Sequence, residues 1–372
     1  MSTFKIINAD VLEGLRGIAD GSVDCCVTSP PYWGLRDYGV AGQIGLEKTP
    51  EEFIARLVDV FREVRRTLAD DGTLWVNMGD TYAATTKGSS GKGEKQITNA
   101  GTIITDRRWQ IPDGLKAKDL VGIPWMLAFA LRSDGWYLRQ DIIWSKLNPM
   151  PESVGDRCTK AHEYLFLLSK SASYHCDMKA IAEPCAESSI VRIESGEPPR
   201  FGGAKYGDLQ TEETRTKSGK KWKAPDGWDT SKGQGGHGSI HRQGRGGKNS
   251  FRGQGSNRDG ENGPANRDGR DMQNVGAGLT RNKRSVWNIA TEPFKEAHFA
   301  TFPTKLVEPC IRAGCRPGGV VLDPFTGSGT TGLVALREGR SFIGVELNPE
   351  YAEMARRRIS EDYPLLNREA RA

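Results

Sequence analysis

The run VDCCVTSPPYW, residues 23–33, decides how the rest of the chain is interpreted. It begins as a short apolar strand and ends in two prolines, Pro30 and Pro31, followed by Tyr32 and Trp33. Proline has no N–H for a sheet ladder and its φ is fixed, so the strand must stop here and the next backbone is stiff. A hydroxyl, a rigid carbonyl and an aromatic face are therefore presented at a strand end, where open α/β sheets bind ligands.

The segments beyond this run alternate between helix and strand. Thr49 and Pro50 start a capped helix, and a buried strand at residues 73–78 follows it. Near the C-terminus, an apolar strand at residues 319–323 leads through a glycine-rich loop and a helix into a strand at residues 342–346. This order predicts right-handed βαβ units and a mostly parallel sheet.

The glycine-rich loop is the second motif. Gly327, Gly329 and Gly332 have the G-x-G-x-x-G spacing between a strand and a helix, and Glu346 ends the next strand. The glycines permit a tight turn close to a ligand, and the Glu346 carboxylate can accept hydrogen bonds from two ribose hydroxyls. This motif alone fits a nicotinamide enzyme as well as a methyltransferase. Asp323, at the preceding strand end, favours a cofactor with a cationic group.

Together, Val-Thr-Ser-Pro-Pro-Tyr and Asp-Pro-Phe-Thr-Gly-Ser-Gly-Thr resemble the motifs of the DNA amino-methyltransferases, in the permuted beta order of that family. The resemblance implies an α/β, Rossmann-like methyltransferase fold. Its sheet is expected to be mostly parallel and seven-stranded, with an antiparallel edge hairpin and an inserted basic, Gly-rich recognition segment. Residues 1–182 would be the catalytic half, 183–284 the inserted and partly flexible target-recognition segment, and 285–372 the half that binds S-adenosylmethionine. The edge hairpin is predicted to pair residues 162–169 with residues 174–177.

The resemblance also implies three groups of site residues. The catalytic group is Ser29, Pro30, Pro31 and Tyr32. The group that binds S-adenosylmethionine is Asp10, Phe302, Pro303, Asp323, Phe325, Gly327, Gly329, Thr330 and Glu346. The group that contacts DNA is Trp33, Arg36 and Asn148. Asp10 could equally be the N-cap of a helix that starts at Val11.

The family transfers a methyl group from S-adenosylmethionine to N4 of cytosine or N6 of adenine in DNA. By resemblance, the Ser29 hydroxyl and the Pro30 carbonyl would accept the two amino N–H groups, and Tyr32 would stack on a flipped-out base. Serine at the head of the motif favours N4 of cytosine, with N6 of adenine as the alternative. A nicotinamide-dependent oxidoreductase and a non-catalytic nucleic-acid-binding protein are the competing classes.

The basic character of the chain is concentrated in one segment. Residues 200–284 contain 18 lysines and arginines against 9 aspartates and glutamates, a local charge of +9, whereas the whole chain carries +5. The segment also contains 19 glycines, so it cannot bury much of a core by itself. It is either a solvated insertion or a DNA-contacting region that orders on the duplex.

Composition limits the remaining possibilities. The 7 cysteines contain no C-x-x-C pair, which predicts a reduced protein without a metal site. The N-terminus lacks a signal-peptide core and no run is long enough to span a membrane. We therefore expect a cytoplasmic bacterial or phage protein that acts on double-stranded DNA as a monomer or homodimer, with a separate restriction endonuclease as a candidate partner.

Overall fold

The computed structural model describes residues 2–34, 40, 42–83, 111–152, 154–186, 280–292 and 302–362. Arg36, residues 85–101 and residues 200–279 of the basic segment lie outside these ranges. Residues 1–183 and 281–372 form one compact unit, and residues 184–280 form another.

The described residues form ten strands. They are β1 (Phe4–Asn8), β2 (Val23–Thr28), β3 (Leu68–Met78), β4 (Tyr137–Lys146), β5 (His162–Ser169), β6 (Glu183–Pro184), β7 (Thr280–Arg281), β8 (Val286–Ile289), β9 (Val320–Asp323) and β10 (Ser341–Glu346). Eight of them form one sheet in the order β1-β10-β9-β2-β3-β5-β4-β8, and β6 pairs with β7.

Most neighbours in the large sheet are parallel. The run β1-β10-β9-β2-β3 is parallel throughout, β5 lies antiparallel between β3 and β4, and β8 is parallel to β4. The antiparallel hairpin is therefore formed by β4 and β5. Residues 174–177 form no strand, which corrects the predicted pairing, because His175 N donates to the Asp71 carbonyl and Asp177 N to the Ala313 carbonyl.

The sheet has one strand more than the seven predicted. The additional strand is β8, where the chain returns from the inserted segment and covers the outer side of β4. Its Trp287 side chain is buried, and the Trp144 indole in β4 donates to the Ile289 carbonyl in β8. The antiparallel hairpin is thus covered by β8 rather than exposed as the edge of the sheet.

Six helices cover the sheet in the described part of the chain. They are α1 (Val11–Arg16), α2 (Pro50–Thr67), α3 (Ile123–Ser133), α4 (Thr304–Gly314), α5 (Thr330–Arg337) and α6 (Pro349–Asp362). The α2 start follows the predicted pattern, because Glu52 N donates to the Thr49 hydroxyl at 3.2 Å and Pro50 occupies the first turn. None of these helices is both long and apolar enough to span a bilayer.

The two faces of the sheet pack against different helices. Cys26 belongs to the core that includes α1, α2 and α3, whereas Cys25 belongs to the core that includes α4, α5 and α6. Neither thiol is exposed, and burial raises the pKa of both well above the usual thiol range. The adjacent cysteines are therefore interior packing residues, one on each face of the sheet.

Candidate active site

Parallel strands bring distant parts of the sequence to one edge of the sheet. The segments that follow β1, β2, β9 and β10 line a cavity of about 190 Å³ at the carboxyl ends of these strands. Asp10 comes from the first segment, residues 29–32 from the second, residues 324–328 from the third and Glu346 from the last. This is the edge at which open α/β sheets bind ligands.

The cavity collects most of the predicted site residues. Those that line it are Ser29, Pro30, Pro31, Tyr32, Asp10, Phe302, Phe325, Gly327, Thr330 and Glu346. Pro303, Asp323, Gly329, Trp33 and Asn148 are described but do not line it. The catalytic motif and the glycine-rich loop therefore form walls of the same space.

Several residues of the cavity wall were not singled out as site residues in the sequence. Gln43 and Ile44 come from a loop without a motif. Tyr351 and Met354 lie on helix α6 and also line the cavity. Helical spacing identifies residues that share a face, but it does not distinguish a core from a cavity wall.

Glu346 holds the glycine-rich loop in place. Its Oε2 accepts from Gly327 N at 2.8 Å and its Oε1 from Asn348 N at 2.9 Å. A carboxylate has about four lone-pair sites, so two backbone bonds leave acceptor capacity on each oxygen. Burial is the main cause of the raised pKa of Glu346, and these backbone bonds oppose it. Glu346 therefore fits a pair of ribose hydroxyls.

Gly327 and Gly329 serve different purposes. Both have positive φ, 52° and 80°, which favours glycine. A Cβ on Gly329 would lie 3.0 Å from the Ala355 Cβ in α6, whereas a Cβ on Gly327 would have its nearest neighbour, the Phe325 carbonyl oxygen, at 4.0 Å. Gly329 therefore allows α6 to pack closely, and its contact with the cofactor stays a prediction.

Asp10 caps helix α1 and also lines the cavity, and its contact with the cofactor stays a prediction. Its Oδ1 accepts from Leu12 N at 3.0 Å and from Glu13 N at 3.4 Å, so it caps α1. The same residue lines the cavity. The cap fixes the carboxylate at the cavity wall.

Asp323 is placed differently from the prediction. The sequence suggested that its carboxylate faces a cationic cofactor group, but the residue is completely buried and does not line the cavity. The Thr28 and Thr331 hydroxyls each donate to it at 2.7 Å. Burial raises the pKa of Asp323 to about 6, although these hydrogen bonds act in the opposite direction.

The catalytic motif is connected to a polar cluster on its other side. The Tyr32 hydroxyl donates to Glu163 Oε2 at 2.7 Å, and Lys146 Nζ donates to Glu163 Oε1 at 2.5 Å. The Ser29 hydroxyl and the Tyr32 hydroxyl both lie 3.4 Å from Asn77 Oδ1. Burial, followed by the Glu163 charge, raises the pKa of Tyr32. The phenol therefore stays protonated and donates to the carboxylate.

The predicted DNA contacts are only partly within the described residues. Trp33 is 3% exposed and its indole donates to the Glu47 carbonyl, so it packs in the core and offers no surface to DNA, which corrects that prediction. Asn148 binds the backbone of Thr291 through both its amide oxygen and its amide nitrogen. Arg36 is outside the described part of the chain. The DNA contact of Asn148 stays a prediction.

Comparison with known proteins identifies the family. A family model described as DNA methylase, N6_N4_Mtase, matches residues 23–357. The chain belongs to this family. Type II methyltransferase M.Cfr9I of Citrobacter freundii is 41% identical over 354 residues, which cover 95% of this chain and 87% of that protein. Type II methyltransferase M.SmaI of Serratia marcescens is 41% identical over 355 residues, which cover 95% of this chain and 90% of that protein.

Two solved structures share the fold of this DNA methylase. PvuII DNA methyltransferase, described as cytosine-N4-specific, has a TM-score of 0.53 at 17% identity, with 98% of this chain and 92% of that chain covered. TTHA0409 of Thermus thermophilus, solved with S-adenosyl-L-methionine, has a TM-score of 0.51 at 22% identity, with 97% and 95% covered. The predicted Rossmann-like methyltransferase fold is confirmed.

Gly79 controls the position of the Tyr32 ring. A Cβ on Gly79 would lie 2.7 Å from Tyr32 Cε2, so Gly79→Ala must displace the ring. We expect turnover to fall about tenfold or more, because small misplacements in a catalytic site have large effects, while S-adenosylmethionine affinity stays within about twofold. The control is Gly17→Ala, whose Cβ would meet its nearest neighbour at an ordinary 3.5 Å. Steady-state methylation kinetics and calorimetric titration test this, and unchanged turnover in Gly79→Ala would contradict it.

Glu346 is expected to be required for the cofactor. Glu346→Ala should weaken S-adenosylmethionine binding by about 1.5–3 kcal/mol, the scale of hydrogen bonds to a charged group. Glu353→Ala is the control, because that carboxylate is 70% exposed and pairs with Arg356 on the same helix. Isothermal titration calorimetry on both folded variants measures the effect. Wild-type affinity in Glu346→Ala would rule out the ribose contact.

Proposed function

We propose that this DNA methylase transfers a methyl group from S-adenosylmethionine to the exocyclic amino group of a flipped-out base, N4 of cytosine in preference to N6 of adenine. The observation that carries the proposal is that residues 29–32 line the same cavity as Gly327 and Glu346. An acceptor site for an amino group and a site suited to a nucleoside cofactor are therefore adjacent. A methyl transfer needs this arrangement.

The residues around the cavity fit the cofactor. Glu346 offers its carboxylate to the ribose, and Asp10 provides a second fixed carboxylate. Phe302, Phe325 and Tyr351 supply aromatic surface for the adenine and the methionine chain. When bound there, S-adenosylmethionine supplies an electrophilic methyl group.

The catalytic motif would prepare the amino group for attack. The lone pair of an exocyclic amino nitrogen is delocalised into the base ring, so this nitrogen is a poor nucleophile. Ser29 Oγ and the Pro30 carbonyl would accept its two N–H groups and favour a tetrahedral nitrogen with a localised lone pair. Serine is a weak base, so the proton leaves for solvent after transfer. Positioning and electrostatics then supply most of the catalysis.

Tyr32 would hold the base. An amino group inside a duplex is not accessible to this motif, so the target base has to leave the stack. The Tyr32 ring lines the cavity and its hydroxyl is fixed by Glu163, which leaves the aromatic face available for stacking. A fixed ring also loses little conformational entropy when the base binds.

The choice of cytosine rests on the serine that heads the motif. The family as a whole includes both N4 and N6 enzymes by its name. The adenine alternative is supported by DNA adenine methyltransferase YhdJ of Escherichia coli, which is 50% identical over 79 residues, 20% of this chain. Nucleoside analysis separates the two.

The methylated base can be identified by analysing genomic DNA from cells that express the protein. Digestion to nucleosides and mass spectrometry should show N4-methylcytosine, and DNA from cells that express Tyr32→Ala should lack it because the stacking surface is lost. N6-methyladenine in its place would correct the base and keep the reaction class. Absence of both modified bases, with wild-type protein present and folded, would contradict methyl transfer to DNA.

Residues 183–284 would recognise the target sequence. Their lysines and arginines suit phosphate contacts, and the type II relatives suggest a cognate restriction endonuclease that acts on the same cytoplasmic DNA. The supporting observation is that the chain leaves the catalytic unit at Glu183 and returns at Arg281. The segment is thus an insertion in a complete methyltransferase sheet.

This assignment predicts a change in salt dependence. Replacing Lys217, Lys220, Lys221 and Lys223 by glutamine should reduce the slope of log binding constant against log salt by about 0.9 for each lysine that contacts phosphate. Lys5→Gln, on the edge strand β1, is the control. Fluorescence anisotropy on duplex DNA at several salt concentrations gives the slopes. A wild-type slope in the lysine variant would favour a solvated spacer.

A further inference from the structure

The buried carboxylate of Asp323 accepts three hydrogen bonds. Its Oδ1 accepts from the Thr28 hydroxyl at 2.7 Å and from Phe325 N at 3.0 Å. Its Oδ2 accepts from the Thr331 hydroxyl at 2.7 Å. The donors belong to β2, to the loop after β9 and to the first turn of α5. One side chain therefore joins the catalytic strand, the cofactor loop and the helix that follows the loop.

This contact lies where the sheet no longer joins the two halves. The ladder between β2 and β9 has two paired positions, Cys25 with Val321 and Cys26 with Leu322. Thr28 and Asp323 lie beyond these pairs, and Thr28 directly precedes Ser29. Backbone pairing between these two strands does not fix the spacing between Ser29 and the glycine-rich loop. Side chains bridge this gap instead: the Thr28 and Thr331 hydroxyls both donate to Asp323, and the Thr331 hydroxyl also lies 3.3 Å from the Val27 carbonyl of β2.

From this geometry we infer that Asp323 is a positioning residue. By joining Thr28 to Thr331, it fixes the distance between Ser29, on one wall of the cavity, and the glycine-rich loop, on the other. The inference rests on the proposed function, in which Ser29 binds the amino group and the glycine-rich loop borders the methyl donor. A methyl transfer needs the nucleophile and the methyl carbon in line at short range, so a loose spacing lowers the rate.

Alternative explanations for these residues are weaker. A carboxylate that binds ligand should have an exposed oxygen, and Asp323 has no exposed surface. A purely stabilising role does not explain a carboxylate here. Burying a charged group costs more free energy than filling the same space with apolar side chains. The charge is compensated here by three donors, of which Thr28 lies 295 residues away in the chain.

The pH dependence gives a signature that a simple packing role lacks. Burial raises the pKa of Asp323 to about 6, and the bonds from Thr28, Thr331 and Phe325 N lower it. As pH falls through this value the carboxyl gains a proton and the bonding pattern changes, so turnover is expected to decline. Removing the Thr28 hydroxyl raises the pKa further and moves this acid limb to higher pH. Cys26 and Glu346 are the other titratable groups that Asp323 influences.

Thr28→Val tests the inference, since valine keeps the shape and removes the hydroxyl. Turnover should fall about tenfold or more, with S-adenosylmethionine affinity within about twofold and the acid limb shifted upward. Thr28→Ser should restore turnover and the wild-type pH profile. The control is Thr67→Val, because Thr67 is equally buried but its hydroxyl bonds to Val64 within α2. It should change neither property.

A second readout does not depend on activity. Amide hydrogen exchange in a peptide that covers residues 28–34 should be faster in Thr28→Val than in the wild type, both without cofactor. Thr331→Val removes the other hydroxyl that donates to this carboxylate, together with its 3.3 Å contact with the Val27 carbonyl, and it is tested in place of Thr28→Val if that variant does not fold. Faster exchange in Thr28→Val, together with a wild-type protein that methylates no DNA, would contradict the proposed function and keep the positioning role.

Two results would overturn the inference. One is wild-type turnover, pH profile and exchange in Thr28→Val and in Thr331→Val. The other is a loss of S-adenosylmethionine affinity as large as the loss of turnover, which would make Asp323 part of cofactor binding.

Discussion

The parallel pairing of β2 with β9 is the constraint on which the site depends. These strands lie almost 300 residues apart in the chain, and each ends in one of the two motifs. Because parallel strands end at the same edge, the Ser29 motif and the glycine-rich loop must meet there. The order of the two motifs in the chain therefore has little effect on the site. What matters is that β2 and β9 are neighbours.

Strand β5, which runs antiparallel to its neighbours β3 and β4 in the large sheet, adds residues to the Tyr32 side of the site. Since β5 runs opposite to β3 and β4, its first residues lie at the edge where its neighbours end. That places Glu163 beside Tyr32 and lets Lys146, the last residue of β4, reach the same carboxylate. An all-parallel sheet would put the start of this strand at the opposite edge. The hairpin is thus part of the acceptor side of the cavity.

The sequence predicted the features that depend on local pattern. Proline after an apolar run, glycine spacing and a capped helix each constrain a few adjacent residues, so β2, the cofactor loop and α2 were found. The sequence did not predict that the side chains of Asp323 and Trp33 are buried, because the direction in which a side chain points depends on tertiary packing. Asn77 and Glu163 were missed since single polar residues in strands carry no spacing signal. Their contacts with Ser29 and Tyr32 exist only in the folded sheet.

Two carboxylates at strand ends, Asp323 of β9 and Glu346 of β10, accept hydrogen bonds from the backbone of the glycine-rich loop. Asp323 accepts from Phe325 N and Glu346 accepts from Gly327 N, so two successive turns of the loop are fixed by buried or half-buried charges. The glycines of the loop, Gly327 and Gly329, adopt the required positive φ angles but add no rigidity of their own. The carboxylates supply that rigidity, and each also reaches outside the loop, Asp323 to Thr28 and Glu346 toward the cavity. Preorganisation of this kind is what a reaction governed by positioning requires, because the ordering cost is met in folding instead of at the transition state.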